Sequence, residues 1–294
     1  MPYRSGFISI IGRPNVGKST LLNHILGQKI SIISDKPQTT RNRILGVKHL
    51  PNAQMVFFDT PGIHKARTKL NQRMVQAALA SLEEVDLVLF LIEPDLEPGE
   101  GDLFIAEHLG KIRTPKILVM NKIDLVKKER MIPLLDFFNK KGGFSEIIPI
   151  SALHGENVDR LVEMALSFLP EGEPYFPEDV VTDQPVRFLA AEIIREKLIE
   201  RTRDEVPYAI AVQIEEFKED EAKNLSTIRA VLFVERESQK GILIGQGGKM
   251  LKEVGTAARQ ELETLLGAKI FLQLWVKTKK GWSKDDAFLS EMGY

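Results

Sequence analysis

The chain has 294 residues, 43% hydrophobic and 28% charged, so it is long enough for two hydrophobic cores and too ordinary in composition for a disordered or membrane-embedded protein. It contains no cysteine, which excludes disulfides and thiolate metal sites and suits a reducing cytosol; its formal net charge of -1 is too balanced to advertise a polyanion partner. No apolar run reaches bilayer length, and "MPYRSGFISIIGRPN" lacks the basic and apolar segments of an export signal.

Along the chain, the apolar runs "FISIIG", "MVFFDT", "VDLVLFLI", "KILVMNK" and "EIIPISA" alternate with helical patterns up to Leu169. This alternation predicts an α/β domain over residues 1–169, a mostly parallel sheet covered by helices. "RILGVKHL" and "QMVFFD" are separated by a Pro51-Asn52 turn, so an antiparallel hairpin makes the sheet mixed at one edge. Residues 170–185, "PEGEPYFPEDVVTDQP", are proline-rich and acidic and read as an extended linker. Residues 186–294 follow a different pattern. "VRFLAAEIIREKLIERT" has helical spacing, Tyr208, Ile210, Val212 and Ile214 alternate as in a strand, and "STIRAVLFVERES" alternates too. "KMLKEVGTAARQELETLL" is helical with a break expected at Gly255, and "AKIFLQLWVKTK" puts Ile270, Leu272, Leu274 and Val276 on one strand face. The order is α-β-β-α-α-β.

Gly12-Arg13-Pro14-Asn15-Val16-Gly17-Lys18-Ser19 fits G-x-x-x-x-G-K-[ST], between a strand and the helix "STLLNHILG". Backbone N–H groups of such a loop wrap phosphates, the lysine reaches the outer ones and the serine hydroxyl serves Mg²⁺. Asp59-Thr60-Pro61-Gly62 ends a strand beside this loop, with a carboxylate placed for Mg²⁺ and a glycine that can approach a γ-phosphate. Asn121-Lys122-Ile123-Asp124 ends another strand, where a carboxylate accepts from guanine N1–H and the 2-amino group, donors that adenine lacks. Lys122 can pack its stem over the base, and Ser151-Ala152 offers a backbone N–H where guanine O6 would lie.

These motifs, in this order, resemble the translation-factor-class P-loop GTPases. The resemblance implies that a threonine of "QTTRNRILG" ligates Mg²⁺ with Ser19 and Asp59: Thr40 is the closer match and Thr39 the fallback, making residues 34–45 a switch. Lys18, Asn15 and Thr40 are the catalytic candidates. Ile63 stands where Ras-like enzymes carry the glutamine that orients the attacking water. Asn15 resembles the asparagine with which GTPases lacking that glutamine bind K⁺, while His64 could be proposed as a base but reads more readily as a solvated side chain.

A second glycine loop spans Ile244-Gly245-Gln246-Gly247-Gly248-Lys249. Met250 supplies no hydroxyl and Leu243 occupies the leading position, so this is not another phosphate loop. It fits the G-x-x-G loop of a KH domain of the second topological type, which clamps the backbone of unpaired nucleotides against an apolar groove. Lys269, Lys277, Lys279, Lys280 and Lys284, interleaved with Trp275 and Trp282, form a basic and aromatic stretch suited to nucleic acid, although each residue alone reads as ordinary packing or solvation.

An α/β P-loop GTPase domain with a mixed, mostly parallel sheet, followed by an α+β type-2 KH domain, resembles the bacterial Era GTPases over nearly the whole chain. The resemblance implies a cytoplasmic, partly membrane-associated GTPase that binds GTP and GDP, contacts the 3′ end of small-subunit ribosomal RNA and assists maturation of the small ribosomal subunit. A constitutive RNA-binding protein with an idle nucleotide domain, and a GTPase serving a membrane or transport partner, are the other classes compatible with these motifs. If "NKID" reads the base, Asp124→Asn shifts preference from GTP toward xanthosine triphosphate, because an amide can donate to the new ring carbonyl. Competition binding with both nucleotides checks this; unchanged GTP affinity contradicts it.

Overall fold

The computed structural model describes residues 2–63, 68–82, 84–94 and 97–294. The chain passes from one compact unit to another between Asp183 and Gln184. In the first unit, β1 (Arg4–Gly12), α1 (Lys18–Leu26), β2 (Ile44–Leu50), β3 (Ala53–Asp59), α2 (Lys69–Ala80), β4 (Leu87–Ile92), α3 (Glu100–Leu109), β5 (Lys116–Met120), α4 (Lys128–Lys141), β6 (Glu146–Pro149) and α5 (Val158–Ser167) follow one another.

Their sheet has the order β2-β3-β1-β4-β5-β6. β1 pairs in parallel with β3 and β4, and β5 continues the parallel run from β4 to β6. The Pro51-Asn52 turn joins β2 to β3 antiparallel, with Leu50 opposite Ala53. Both faces of the central strands are covered, so Val88, Phe90 and Leu118 are fully buried, with Phe138 of α4 packed in the same core. Parallel pairing also brings the carboxyl ends of β1, β3 and β5 to one edge, where open α/β sheets bind ligands.

The stretch expected as a linker carries no helix or strand of its own, but most of it is tied to the first unit. Val47 N–H donates to the Val181 carbonyl at 2.8 Å and the Thr182 hydroxyl to the Leu45 carbonyl at 2.6 Å. Gln54 holds residues 175 and 176 by bonds from Tyr175 and Phe176 N–H and to the Phe176 carbonyl, at 2.7, 3.0 and 2.7 Å. This strap covers β2, an edge strand whose polar groups would otherwise stay unpaired.

The second unit contains α6 (Val186–Arg201), β7 (Ala211–Asp220), β8 (Leu225–Val234), α7 (Glu237–Ile244), α8 (Lys249–Leu266), β9 (Lys269–Thr278) and α9 (Asp286–Glu291). β7 and β8 are antiparallel, β8 and β9 parallel. Ile194 and Leu198 of α6, Val254, Ala258 and Leu262 of α8 and Ile228 of β8 share one core, against which Leu272, Leu274 and Val276 pack.

Three expectations are corrected here. α8 runs unbroken through Gly255, and the break between the two helices falls at Gly245–Gly248. The strand expected from Tyr208 begins at Ala211, because Val206–Ala209, with Pro207 near its start, forms a 3₁₀ turn. Trp282 is no stacking surface: it is fully buried, its indole N–H donates to the Ala209 carbonyl at 2.9 Å, and it meets Phe288 edge-on. Sequence alternation cannot say which of two tryptophans faces a core. Trp282→Ala therefore costs about 3–5 kcal/mol of stability in urea unfolding, the range for a buried aromatic truncated to alanine; a loss below about 1 kcal/mol contradicts this packing.

Candidate nucleotide site and nucleic-acid groove

At the end of β1 the chain turns through Gly12–Gly17 and enters α1. Gly17 has φ +96°, and a Cβ there would lie 2.2 Å from the Asn121 amide nitrogen, so no other residue fits. Asn121 itself joins three motifs. Its amide donates to the Val16 carbonyl and its carbonyl accepts from Ala152 N–H, both at 2.8 Å. The Ala152 N–H expected for guanine O6 is thus engaged by Asn121, and Leu153, the next residue, is well exposed. The Ser151 hydroxyl donates to Asp124 at 2.6 Å and fixes the carboxylate expected to read the base. Lys122 has φ +63° and its ammonium pairs with Glu93.

Ser19, Thr40 and Asp59, 40 residues apart at the extremes of sequence, meet at one point. The Ser19 hydroxyl donates to Asp59 Oδ2 at 2.6 Å and lies 2.8 Å from the Thr40 hydroxyl. A third hydroxyl, from Ser31, donates to the same Oδ2 at 2.7 Å. Asp59 Oδ1 is buried and makes no hydrogen bond among the described residues. A hard divalent cation takes oxygen ligands, and two hydroxyls beside a carboxylate with one unengaged buried oxygen fit Mg²⁺ held directly or through water.

Burial pushes the Asp59 carboxyl up, against the pull of the Lys18 ammonium and the Ser19, Ser31 and Thr40 hydroxyls. Burial likewise lowers Lys18 to about 8, with Asp59 opposing. The Lys18 ammonium donates to the Arg13 and Gly12 carbonyls at 2.9 and 3.3 Å. A cation this deep, in a loop rich in backbone N–H groups, suits an anionic ligand.

The remaining predicted residues divide. Thr60 is buried with its hydroxyl on the Ile10 carbonyl at 2.7 Å, while the Ile63 N–H holds the Gly12 carbonyl at 3.1 Å. The Ile63 side chain lies in the core, so residue 63 cannot orient water at the phosphate site. The Arg13 guanidinium turns away to Asp102 of α3 at 2.8 Å, leaving its backbone for the phosphates. Pro14, Asn15 and Val16 stand in the loop, and Pro61 and Gly62 close on it: a Cβ on Gly62 would meet Pro14 N at 2.6 Å. Thr39 is buried, and it is Thr40 that meets Ser19. His64 lies outside the described residues. Sequence reading missed Ser31, Asn23 and Asp102.

In the second unit, Gly245 ends α7 with φ +72°, where a Cβ would lie 2.6 Å from that of Met250. Gly247 and Gly248 also have positive φ and nothing near their Cβ positions, so the loop is open to an approaching backbone. Beside it lies a groove of about 410 Å³ floored by Leu251, Gly255, Leu272 and Leu274 and edged by Lys252 and Arg259. Gly255 keeps this floor low: a Cβ there would already touch Leu274 at 3.5 Å. Lys277 does not line the groove, because strand alternation puts it on the face opposite Leu272 and Leu274; it pairs with Glu215 at 3.1 Å. Lys279 pairs with Asp285 at 3.5 Å and sits over the Phe288 ring. Trp275 is 43% exposed, with the Arg229 guanidinium 5.5 Å from its ring centre.

Comparison with known proteins gives concordant results. A family model described as 50S ribosome-binding GTPase matches residues 7–122, and a KH domain model matches residues 205–283. The GTPase Era of Geobacter metallireducens is 56% identical over 293 residues, covering 100% of this chain and 98% of its own. That of Geotalea uraniireducens is 56% identical over 292 residues, covering 99% and 98%. A crystal structure of Era in complex with MgGDPNP and nucleotides 1506–1542 of 16S ribosomal RNA is 47% identical, with a TM-score of 0.96 and 99% of each chain covered. A variant of Aquifex aeolicus Era bound to GDP and AlF₄⁻ is 48% identical, also with a TM-score of 0.96 and 99% of each chain covered.

The groove generates its own test. Gly255→Leu should raise its floor and lower affinity for single-stranded RNA about tenfold or more, the worth of roughly one stacked base, while GTP affinity stays unchanged. Gel-shift and nucleotide titrations of the same preparation check both; undiminished RNA binding contradicts the assignment.

Proposed function

The chain belongs to the Era family of GTPases, and we propose that it is a GTP-hydrolysing switch whose KH domain holds the single-stranded 3′ end of small-subunit ribosomal RNA while that subunit matures. The observation that carries the reading is the meeting of Ser19, Thr40 and Asp59 beside the phosphate loop, in a chain whose second unit holds the G-x-x-G groove. The 16S fragment in the related Era complex favours small-subunit RNA as the strand.

In this reading the N–H groups of Gly12–Gly17 and the Lys18 ammonium bind the β- and γ-phosphates, and Asp124, fixed by Ser151, accepts from guanine, with Lys122 beside the base and Asn121 bracing the site through its bond from the Ala152 N–H. Ser19, Thr40 and Asp59 would hold Mg²⁺, which when bound neutralises charge between the β- and γ-phosphates. Water attacks the γ-phosphorus and the bond to the β-phosphate oxygen breaks, giving GDP and phosphate. Asn15 would hold K⁺, which would supply positive charge in place of an arginine finger, and Thr60, Pro61 and Gly62 would follow the γ-phosphate. The switch segment, residues 34–45, runs into β2, and β2 carries the strap that continues into α6, which supports transmission of the nucleotide state toward the KH domain.

RNA contact is assigned to Ile244, Gly245, Gln246, Gly247, Gly248 and Lys249 with the adjoining groove, and Lys277 and Lys279 serve phosphates beyond it. Among the described residues no helix is long and apolar enough to cross a membrane. We place the protein in the cytoplasm, with its membrane contact peripheral at the inner face.

Phosphate release with a 16S 3′-end oligonucleotide present, in KCl and in NaCl at equal ionic strength, tests the reading. The oligonucleotide should bind, and turnover should fall about tenfold or more in NaCl, a part of what an arginine finger contributes. Asn15→Ala should erase the difference between salts. Equal rates remove the potassium role, and an oligonucleotide that does not bind removes the RNA assignment.

A further inference from the structure

The two oxygens of Asp59 have different surroundings. Oδ2 accepts the hydroxyls of Ser19 and Ser31 at 2.6 and 2.7 Å, whereas Oδ1 is buried with no hydrogen-bond partner among the described residues. Ser19 belongs to the phosphate loop motif. Ser31 belongs to none of the motifs, yet it is 1% exposed and its hydroxyl has no other partner among the described residues.

Ser31 sits in the loop between α1 and the switch, and Asn23 of α1 fixes it from behind. The Asn23 side-chain carbonyl accepts from Ile30 and Ser31 N–H, each at 3.0 Å, and its amide donates to the Ser31 carbonyl at 2.7 Å. Both backbone polar groups of Ser31 are therefore anchored to the helix that begins with Lys18 and Ser19. The terminal torsion of an aspartate is broad, so one donor leaves the carboxylate plane loosely set. Two hydroxyls arriving at one oxygen from separate segments fix the plane and leave the other oxygen available.

The geometry points to Ser31 as a positioning residue for Mg²⁺: backed by Asn23, it holds Asp59 so that Oδ1 is kept for the cation or its water. This inference rests on the GTP reading of the site and deepens it. Ser19 would face both the cation and Asp59, whereas the Ser31 hydroxyl, among the described residues, engages Asp59 alone. Groups that orient metal-facing ligands change metal affinity by about 10–100-fold when removed.

The test is an equilibrium titration of a fluorescent GDP into the full-length protein, once with Mg²⁺ and once with EDTA, beside a melting curve. In Ser31→Ala the Mg²⁺-dependent gain in nucleotide affinity should shrink about tenfold or more, with affinity in EDTA within about twofold of the parent. A merely structural serine would weaken binding equally in both media. That equal loss, or a full Mg²⁺-dependent gain in Ser31→Ala, overturns the inference. A parent protein that binds no guanine nucleotide in either medium defeats the GTP reading instead.

Discussion

A carboxylate buried at the end of β3 is the constraint on which the nucleotide site depends. Removing an ionised carboxylate from water is unfavourable by several kcal/mol unless charge and hydrogen bonds compensate. Around Asp59 the compensation comes from separate parts of the chain: Lys18 and Ser19 at the start of α1, Ser31 in the loop after it, and Thr40 in the switch. Each of these segments must therefore be in place for the others to be. The parallel sheet makes the meeting possible, since β1 and β3 are neighbours whose carboxyl ends share one edge. In the proposed function a γ-phosphate with its cation arrives where these groups are already gathered, and Thr40, on the segment leading to β2, is the member of the set best placed to respond to it.

The base side of the site is built on the same plan with a different centre. Asn121 links the phosphate loop to residue 152, so Val16, Asn121 and Ala152 are held together. Gly17 exists as glycine because Asn121 stands against it. The KH unit solves another problem. In the proposed function its loop admits a phosphodiester chain, for which Gly247 and Gly248, positive-φ glycines with nothing near their Cβ positions, and a groove whose floor has a glycine at its middle leave room. One chain thus holds a closed, cross-braced nucleotide site and an open groove.

Much of this was legible in the sequence because each nucleotide motif is contiguous and sits at a strand end: Gly12–Ser19, Asp59–Gly62, Asn121–Asp124 and Ser151–Ala152 carry their own context. The α-β-β-α-α-β order places its two adjacent helices on either side of Gly255, whereas the structure has them as α7 and α8, divided at Gly245–Gly248. Ser31, Asn23 and Asp102 were not legible, because their meaning lies in contacts with residues distant in sequence, such as Asp102 with Arg13, and a lone serine in a loop has no periodicity. Gly255 was misread for a related reason. Its helix propensity is poor, which predicts a break, but tertiary packing of α8 on β9 holds the helix through it and uses the missing side chain as groove. Trp275 and Trp282 look alike in sequence; only the turn at 282 decides that one of them is core.

The central claim is that nucleotide state and RNA binding are coupled, and coupling is reciprocal by linkage. Affinity for a 16S 3′-end oligonucleotide, measured with the protein saturated by Mg²⁺ and either GDP or a non-hydrolysable GTP analogue, tests it most directly. The affinities should differ by about fivefold or more between the two states, with the difference lost in Thr40→Ala. Equal affinities in the two nucleotide states of the parent protein would contradict it.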